Sequence, residues 1–188
     1  VCSRSVTGSA TITVNQAVVV NAGNGLTACQ SAAPAALTLA GASVTGGTTS
    51  GQWSIVSGGG TLSNTAFTTT PATVTYTAAA NFSGVVTLRL TSADPDGAGP
   101  CTAIFADRII TVSPEATANA GVPQNVCAGG SVNLSGSVGG AAASGTWSAA
   151  SGSFSNINDL NTTYTPSIAS GNVTLTLTTN DPDGAGPC

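Results

Sequence analysis

The five cysteines are the side chains of this sequence best suited to covalent or metal chemistry, and they are Cys2, Cys29, Cys101, Cys127 and Cys188. Cysteine ligands of a structural zinc come in groups at short spacings, commonly together with histidine. This sequence has no histidine, and no cysteine lies close to another along the chain. We therefore predict disulfides rather than a metal site, and disulfides indicate an oxidising compartment.

The octapeptide DPDGAGPC occurs twice, at 94–101 and at 181–188. Its paired carboxylates are Asp94 with Asp96, and Asp181 with Asp183. Two aspartates at this spacing followed by glycine resemble the start of a calcium loop, but the glutamate that completes such loops is missing. We favour a hairpin turn, because proline fixes φ, aspartate bonds to its own backbone and glycine accepts a positive φ. Calcium is the alternative, and no other cofactor is expected.

The charge composition excludes several classes of function. The chain has three Arg, no Lys, no His and a net charge of −4. Without His or Lys it has no catalytic triad and no phosphate-binding GxxxxGK loop, so we do not expect an enzyme. Three scattered arginines do not neutralise a phosphate backbone, which argues against nucleic acid as a partner. No apolar run has the length of a membrane-spanning helix.

The elements that position these side chains are predicted to be strands. Thr and Val are abundant, 24 Gly and 9 Pro interrupt the chain, and no segment has an apolar stripe at helical spacing. In 85–91, apolar residues alternate with Thr and Arg, as in a strand with one buried face. The predicted strands of the best-defined part are 17–20, 37–39, 51–55, 61–62, 73–77, 85–91 and 108–112. The aromatic residues expected in the core are Trp53, Tyr76, Trp147 and Tyr164.

Several of these landmarks recur in the same order, which predicts internal repeats. Cys29 corresponds to Cys127, and Cys2, Cys101 and Cys188 occupy one repeated position. We interpret 1–14 as the last strand of a preceding repeat and 15–113 as a complete β-sandwich repeat. Residues 114–188 are then a second sandwich that lacks its last strand, so the repeats are out of phase with the chain ends.

The second repeat carries a specific resemblance. Its sequence NAGVPQNVCAGGSVNLSG, followed by GTWSAASGSFS, TTYTP and GNVTLTLTTNDPDGAGPC, resembles the PKD-like, immunoglobulin-like tandem repeats of large secreted surface adhesins or filaments of Bacteroidota. The resemblance implies tandem immunoglobulin-like β-sandwiches and an extracellular, cell-surface location. It does not imply a particular ligand.

Sandwich topology bears on the disulfide connectivity. Cys127 precedes the predicted first turn at one pole of its domain, whereas Cys101 and Cys188 lie in the last hairpin loop at the other pole. A strand of about ten residues separates the poles by about 33 Å, and a disulfide spans about 7 Å between Cα atoms. We therefore favour Cys29–Cys188 across the repeats, which leaves Cys2, Cys101 and Cys127 to pair outside this chain. The alternative is one bridge within each repeat, Cys29–Cys101 and Cys127–Cys188.

The function predicted from the sequence is structural. We expect a disulfide-stabilised repeat unit of an extracellular bacterial filament or adhesin stalk. Its partners are expected to be copies of itself or adjoining repeats. A strand homologous to 1–14 of the next unit is expected to supply the missing strand, either within one continuous polypeptide or by strand exchange between subunits. The alternative is an adhesive module that binds a glycan or protein through the loops at 45–50 or 141–145.

Overall fold

The computed structural model describes residues 3–5, 7–184 and 188. Across these residues the regular elements are β-strands, apart from one 3-10 turn at Pro71–Thr73, and the predicted all-β class is confirmed. None of the described residues belongs to a helix long and apolar enough to cross a membrane.

Residues 15–113, predicted from the sequence to be one complete repeat and here called the first repeat, contain nine strands. They are β1 (Val19–Asn21), β2 (Leu26–Cys29), β3 (Leu37–Thr38), β4 (Ser43–Thr45), β5 (Gly51–Ser57), β6 (Gly60–Leu62), β7 (Thr75–Ala78), β8 (Gly84–Ser92) and β9 (Phe105–Ser113). One sheet has the order β2-β9-β8-β5, a second has the order β3-β7-β6, and β1 pairs with β4. β2 runs parallel to β9, and the other pairs are antiparallel.

The core of the first repeat lies between its sheets, and the sequence pattern of β8 explains how. Val86, Leu88 and Leu90 alternate with more polar residues and are fully buried, as strand periodicity predicts. Ile110 of β9 and Tyr76 of β7 are also fully buried against this cluster. Thirteen hydrophobic residues form the buried core of this repeat. The all-β sandwich predicted from the sequence is the architecture observed.

The described residues of 114–188, here called the second repeat after the same prediction, reproduce only part of this plan. Its strands are β10 (Thr117–Asn119), β11 (Val132–Asn133), β12 (Ser137–Gly139), β13 (Gly145–Ala149), β14 (Ser153–Phe154), β15 (Thr163–Thr165) and β16 (Leu175–Thr179). The pairs β10-β12 and β13-β16 and the sheet β11-β15-β14 correspond to β1-β4, β5-β8 and β3-β7-β6. Among the described residues nothing corresponds to β2 or β9, and the buried hydrophobic core contains four residues.

The aromatic residues anchor both repeats, as the sequence predicts. Trp53, Tyr76, Trp147 and Tyr164 are all buried. The Tyr76 hydroxyl donates to the Gly59 carbonyl, and the Tyr164 hydroxyl donates to the Ser151 carbonyl. These bonds satisfy polar atoms that burial removes from water.

The two tryptophans differ in their polar contacts. Trp53 Nε1 donates to the Pro71 carbonyl at 3.0 Å, within the 3-10 turn. Trp147 Nε1 is buried without a partner. The segment between Trp53 and Tyr76 is longer than its counterpart in the second repeat, and that extra length supplies the acceptor.

Two elements and one buried charge differ from the sequence expectation. The strands β2 and β4 were not predicted, since each is only three or four residues long and β2 pairs with a partner far along the chain. Arg108 is only 3% exposed, although charged side chains ordinarily lie at the surface. Its guanidinium donates to the carbonyls of Ala22 at 3.2 Å and Ala40 at 3.0 Å, and desolvation lowers its pKa from the ordinary arginine value.

Candidate functional site

The most distinctive feature of the molecule is the unpaired edge of β16, here called the open edge. In the first repeat, β8 lies between β5 and β9 and is paired along both sides. Its counterpart β16 pairs with β13 from Ala149↔Leu175 to Gly145↔Thr179, and no described strand lies on its other side. An unpaired row of backbone N–H and C=O groups is a template for another strand.

A groove of about 790 Å³ lies beside the open edge. One wall is the chain at 120–128, the other is 168–173, and the floor includes Leu134, Tyr164 and Leu175. None of the residues that line it is charged. A group that enters the groove would therefore not desolvate an ionic side chain of its lining.

The groove lies where the described residues of the second repeat lack counterparts of β2 and β9. Its wall at 124–127 corresponds in sequence to β2 but forms no strand. In the first repeat β2 is held by parallel pairing to β9 (Leu26↔Ile110 to Cys29↔Ser113). No described residue forms a counterpart of β9, which accounts for the lack of strand pairing at 124–127.

Two core positions of the second repeat are less buried than their counterparts in the first repeat. Val86 and Leu88 of β8 are fully buried, whereas their counterparts Val173 and Leu175 are only half-buried. Because the side chains are identical, the difference arises from the missing cover. This part of the second core is left open to the groove.

The described residues of 7–14, here called the N-terminal segment, form no strand and are exposed. Aligned on the NAG motifs at 21–23 and 119–121, Ile12 corresponds to Ile110 and Val14 to Val112. Ile12 and Val14 are 85% and 87% exposed, whereas Ile110 and Val112 are 0% and 1% exposed. The segment thus carries the apolar pattern of β9 without its packing. Of the predicted unit 1–14, positions 1, 2 and 6, including Cys2, lie outside the described residues.

A disulfide joins the two repeats in the structure. Cys29, at the end of β2, is bonded to Cys188, with 5.3 Å between their Cα atoms. Next to it, the Glu115 N–H donates to Gln30 Oε1 at 3.1 Å and fixes the start of the second repeat. Cys101 and Cys127 carry free thiols, and the Cys127 side chain is exposed. The connectivity in solution stays our prediction, and non-reducing peptide mapping tests it.

The two DPDGAGPC loops share one hydrogen-bond pattern. Asp94 Oδ1 accepts from the N–H groups of Asp96 (3.1 Å) and Gly97 (2.9 Å), and Asp96 Oδ2 accepts from the Cys101 N–H (3.1 Å). In the second copy, Asp181 Oδ1 accepts from the next two N–H groups at 3.3 and 3.1 Å. Asp183 Oδ2 accepts from the Cys188 N–H at 2.9 Å. Positions 185–187 of this copy lie outside the described residues.

The loop carboxylates therefore act on their own backbone. Gly97 and Gly184 have φ of 68° and 67°, the left-handed conformation that the turn needs. Among the described residues, one cluster of metal-ligating atoms occurs, formed by Cys29, Asp183 and Cys188. Its two sulfur atoms are bonded to each other, which removes the thiolates that a metal would bind. A calcium role for the four aspartates stays the untested alternative to the turn.

The Cys101 thiol has a distinct electrostatic environment. A hydrogen bond to Asp96 raises its pKa above the ordinary cysteine value. Desolvation raises the pKa of Asp96, but hydrogen bonds from Cys101 and Asn15 outweigh it and lower that pKa overall. Asn15 Nδ2 donates to Asp96 Oδ2 at 3.1 Å, the same oxygen that accepts from the Cys101 N–H. This contact places Asn15, which directly follows the N-terminal segment, beside Cys101.

Arg89 and Asp107 form an ion pair on the surface of the sheet. Arg89 contacts Asp107 through two hydrogen bonds of 2.7 and 2.8 Å and lies over the Phe105 ring at 3.7 Å. The hydrogen bond from Arg89 lowers the pKa of Asp107. Both side chains are about one-third exposed, as expected for a surface ion pair.

Comparisons with known proteins do not identify a family for this chain. No protein-family model matches the chain, and no curated protein is detectably similar in sequence. Among solved structures, the chain is similar to one described as the D0-D1 domain of Intimin, at 18% identity and a TM-score of 0.31. That match covers 89% of this chain and 93% of the other. Neither value is high enough to indicate a shared function.

Proposed function

We propose that this chain is a structural repeat unit of an extracellular filament or adhesin stalk, in which each copy completes its neighbour. The observation that carries the proposal is the open edge of β16 beside an uncharged groove, in a chain that also exposes a β9-like segment. The N-terminal segment of a second copy fills the groove and pairs with the open edge. Disulfides then stabilise the resulting row of sandwiches and are compatible with an oxidising, extracellular location.

The pairing of β8 with β9 gives the register of the added strand. Ile110 lies opposite Val86 and Arg108 opposite Leu88. The homologous register places Ile12 opposite Val173 and Ala10 opposite Leu175. The two core residues that are half-buried in the single chain are then covered.

The composition of the N-terminal segment suits entry from solvent. It carries no charge, and Ala10 stands where β9 has the buried Arg108. A strand with a cation at that position would have to desolvate it during assembly, which is costly. Arg108 belongs to a strand that folds within its own chain and is covered there.

In this proposal the occupant is the N-terminal segment of a second copy rather than that of the same molecule. Residues 15–21 of the same molecule continue from the N-terminal segment into β1, which belongs to the first repeat and pairs with β4 there. A neighbour that donates residues 7–14 therefore places its own first repeat directly after the completed sandwich. This reproduces the order of sandwiches found within one chain and extends it in one direction.

A self-complemented chain tests this function. Residues 3–15 are appended after Cys188 through a short Gly-Ser linker, so that the groove is filled within one molecule. We expect the unmodified chain to form elongated assemblies by negative-stain electron microscopy and the self-complemented chain to stay monomeric. The matched control carries the same extension with aspartate in place of the appended copies of Ile12 and Val14, and it is expected to assemble as the unmodified chain does. An unmodified chain that stays a monodisperse monomer at high concentration contradicts the proposal.

A further inference from the structure

We propose that neighbouring copies are joined covalently by a disulfide between Cys127 of the copy that accepts a strand and Cys101 of the copy that donates it. The inference rests on the proposed function, since it requires the N-terminal segment to occupy the groove. It assigns partners to the two thiols that are free in the described part of the chain.

The first argument is that Cys101 and Cys188 are held in the same way. Each follows the same loop, and each donates its backbone N–H to the second aspartate of that loop, Asp96 or Asp183. Cys188 forms a bridge to Cys29, which is the last residue of β2. Cys101 is therefore presented for a bridge to a cysteine in the position of Cys29.

The second argument is that Cys127 is the cysteine in that position. Counted from the NAG motifs at 21–23 and 119–121, Cys29 and Cys127 are equivalent. Cys29 lies opposite Ser113, the last residue of β9. With the donated strand in the β9 register, Cys127 lies opposite the equivalent of Ser113, which is Asn15 of the donor.

The third argument is that Asn15 and Cys101 are neighbours within the donor. The Asn15 side chain and the Cys101 backbone N–H both donate to Asp96 Oδ2, each at 3.1 Å. A strand that places Cys127 opposite Asn15 therefore also brings it to Cys101. The junction between copies repeats the junction between the two repeats of one chain.

Bond formation removes two electrons and two protons from the pair of thiols. A small disulfide oxidant such as oxidised glutathione accepts these electrons and protons. One cysteine thiolate attacks it, which forms a mixed disulfide and releases one reduced glutathione. The second cysteine thiolate then attacks the mixed disulfide and displaces the other glutathione. The product is one interchain S–S bond and two reduced glutathiones. The exposed Cys127 is accessible to the oxidant for the first attack.

The test oxidises the full chain with oxidised glutathione and separates the products on a denaturing gel without reductant. We expect bands at multiples of 17.9 kDa and a linked Cys101–Cys127 peptide on mapping. Cys101→Ser and Cys127→Ser are each expected to remove at least nine-tenths of the multimer bands, whereas Cys2→Ser leaves them. Multimers that survive either of the first two changes, or that vanish with Cys2→Ser, overturn the inference.

Two further variants separate this inference from the proposed function. Ile12→Asp retains both thiols but prevents the strand from entering the groove, so we expect no multimer bands. Bands of undiminished strength in Ile12→Asp indicate indiscriminate thiol coupling and overturn the inference. Sedimentation of Cys101→Ser measures non-covalent association in the absence of the proposed disulfide. If this variant associates but the unmodified chain forms no interchain bridge, strand completion stands and only the disulfide is overturned. If the unmodified chain does not associate, both are wrong.

Discussion

Alanine replacement of Ile12 and Val14 is the change most informative about assembly, since it leaves the described core of the single chain untouched. Both side chains are exposed in the single chain, and their counterparts Ile110 and Val112 are fully buried in the first repeat. The double variant I12A/V14A should therefore fold as the unmodified chain does. Its effect should be confined to the contact between copies.

The magnitude follows from the atoms removed. Ile→Ala deletes three carbon groups and Val→Ala deletes two, and each buried CH₂ contributes about 0.8 kcal/mol. Complete burial in the groove then makes the loss about 4 kcal/mol, which corresponds to a dissociation constant raised roughly a thousandfold. Incomplete burial reduces the effect, and a loss of less than about tenfold is incompatible with the packing seen for Ile110 and Val112.

The assay is sedimentation velocity over a concentration series under reducing conditions, so that only non-covalent association is measured. The matched control is Thr11→Ala with Thr13→Ala. Their counterparts Ile109 and Thr111 face away from the core and are exposed. We expect the control to associate within a few-fold of the unmodified chain. Equal weakening in both double variants refutes the predicted orientation of the strand.

Three further outcomes are expected. The fluorescence of single-tryptophan variants should show that the second repeat unfolds at a lower urea concentration than the first, because its buried core is smaller. Trp53→Phe leaves Trp147 to report on the second repeat, and Trp147→Phe leaves Trp53 to report on the first. Coincident transitions contradict this. Asp96→Asn should speed alkylation of Cys101 at pH 8, because Asp96 raises the thiol pKa and the thiolate is the reactive form. Asn15→Ala should slow alkylation, because Asn15 lowers that pKa. Alkylation rates that do not change refute these assigned contacts. Added calcium followed by EGTA should move the melting temperature by less than about 1 °C, because Asp94 and Asp181 already bind their own loops; a rise of several degrees that EGTA reverses indicates a calcium site.

The sequence predicted strands correctly where one face of a strand is buried along its whole length. The alternation in β8 predicted its buried residues, and the recurring Trp and Tyr predicted the core anchors. β2 was missed because it is four residues long and exists only through parallel pairing with β9, which is distant in sequence. Short strands of this kind depend on tertiary contacts, which local composition does not encode.

The candidate site was only partly accessible. The repeat register predicted that 114–188 lacks a final strand, although this division into repeats stays a prediction. The loss of the β2 counterpart as well could not be foreseen, since it depends on a strand that holds another in place. The burial of Arg108 was not predicted, because charged side chains are seldom buried. Its two carbonyl acceptors come from loops that the sequence pattern does not bring together.

Hydrogen exchange measured by mass spectrometry tests the central statement most directly, because it reads the backbone bonds that assembly is expected to create. The full chain is compared at low and high concentration, and two segments are followed: 7–14 and 171–179. We predict that both exchange rapidly at low concentration and become protected together as copies associate. Rapid exchange of both segments in fully assembled material, or protection of both in the isolated monomer, contradicts completion by a second copy.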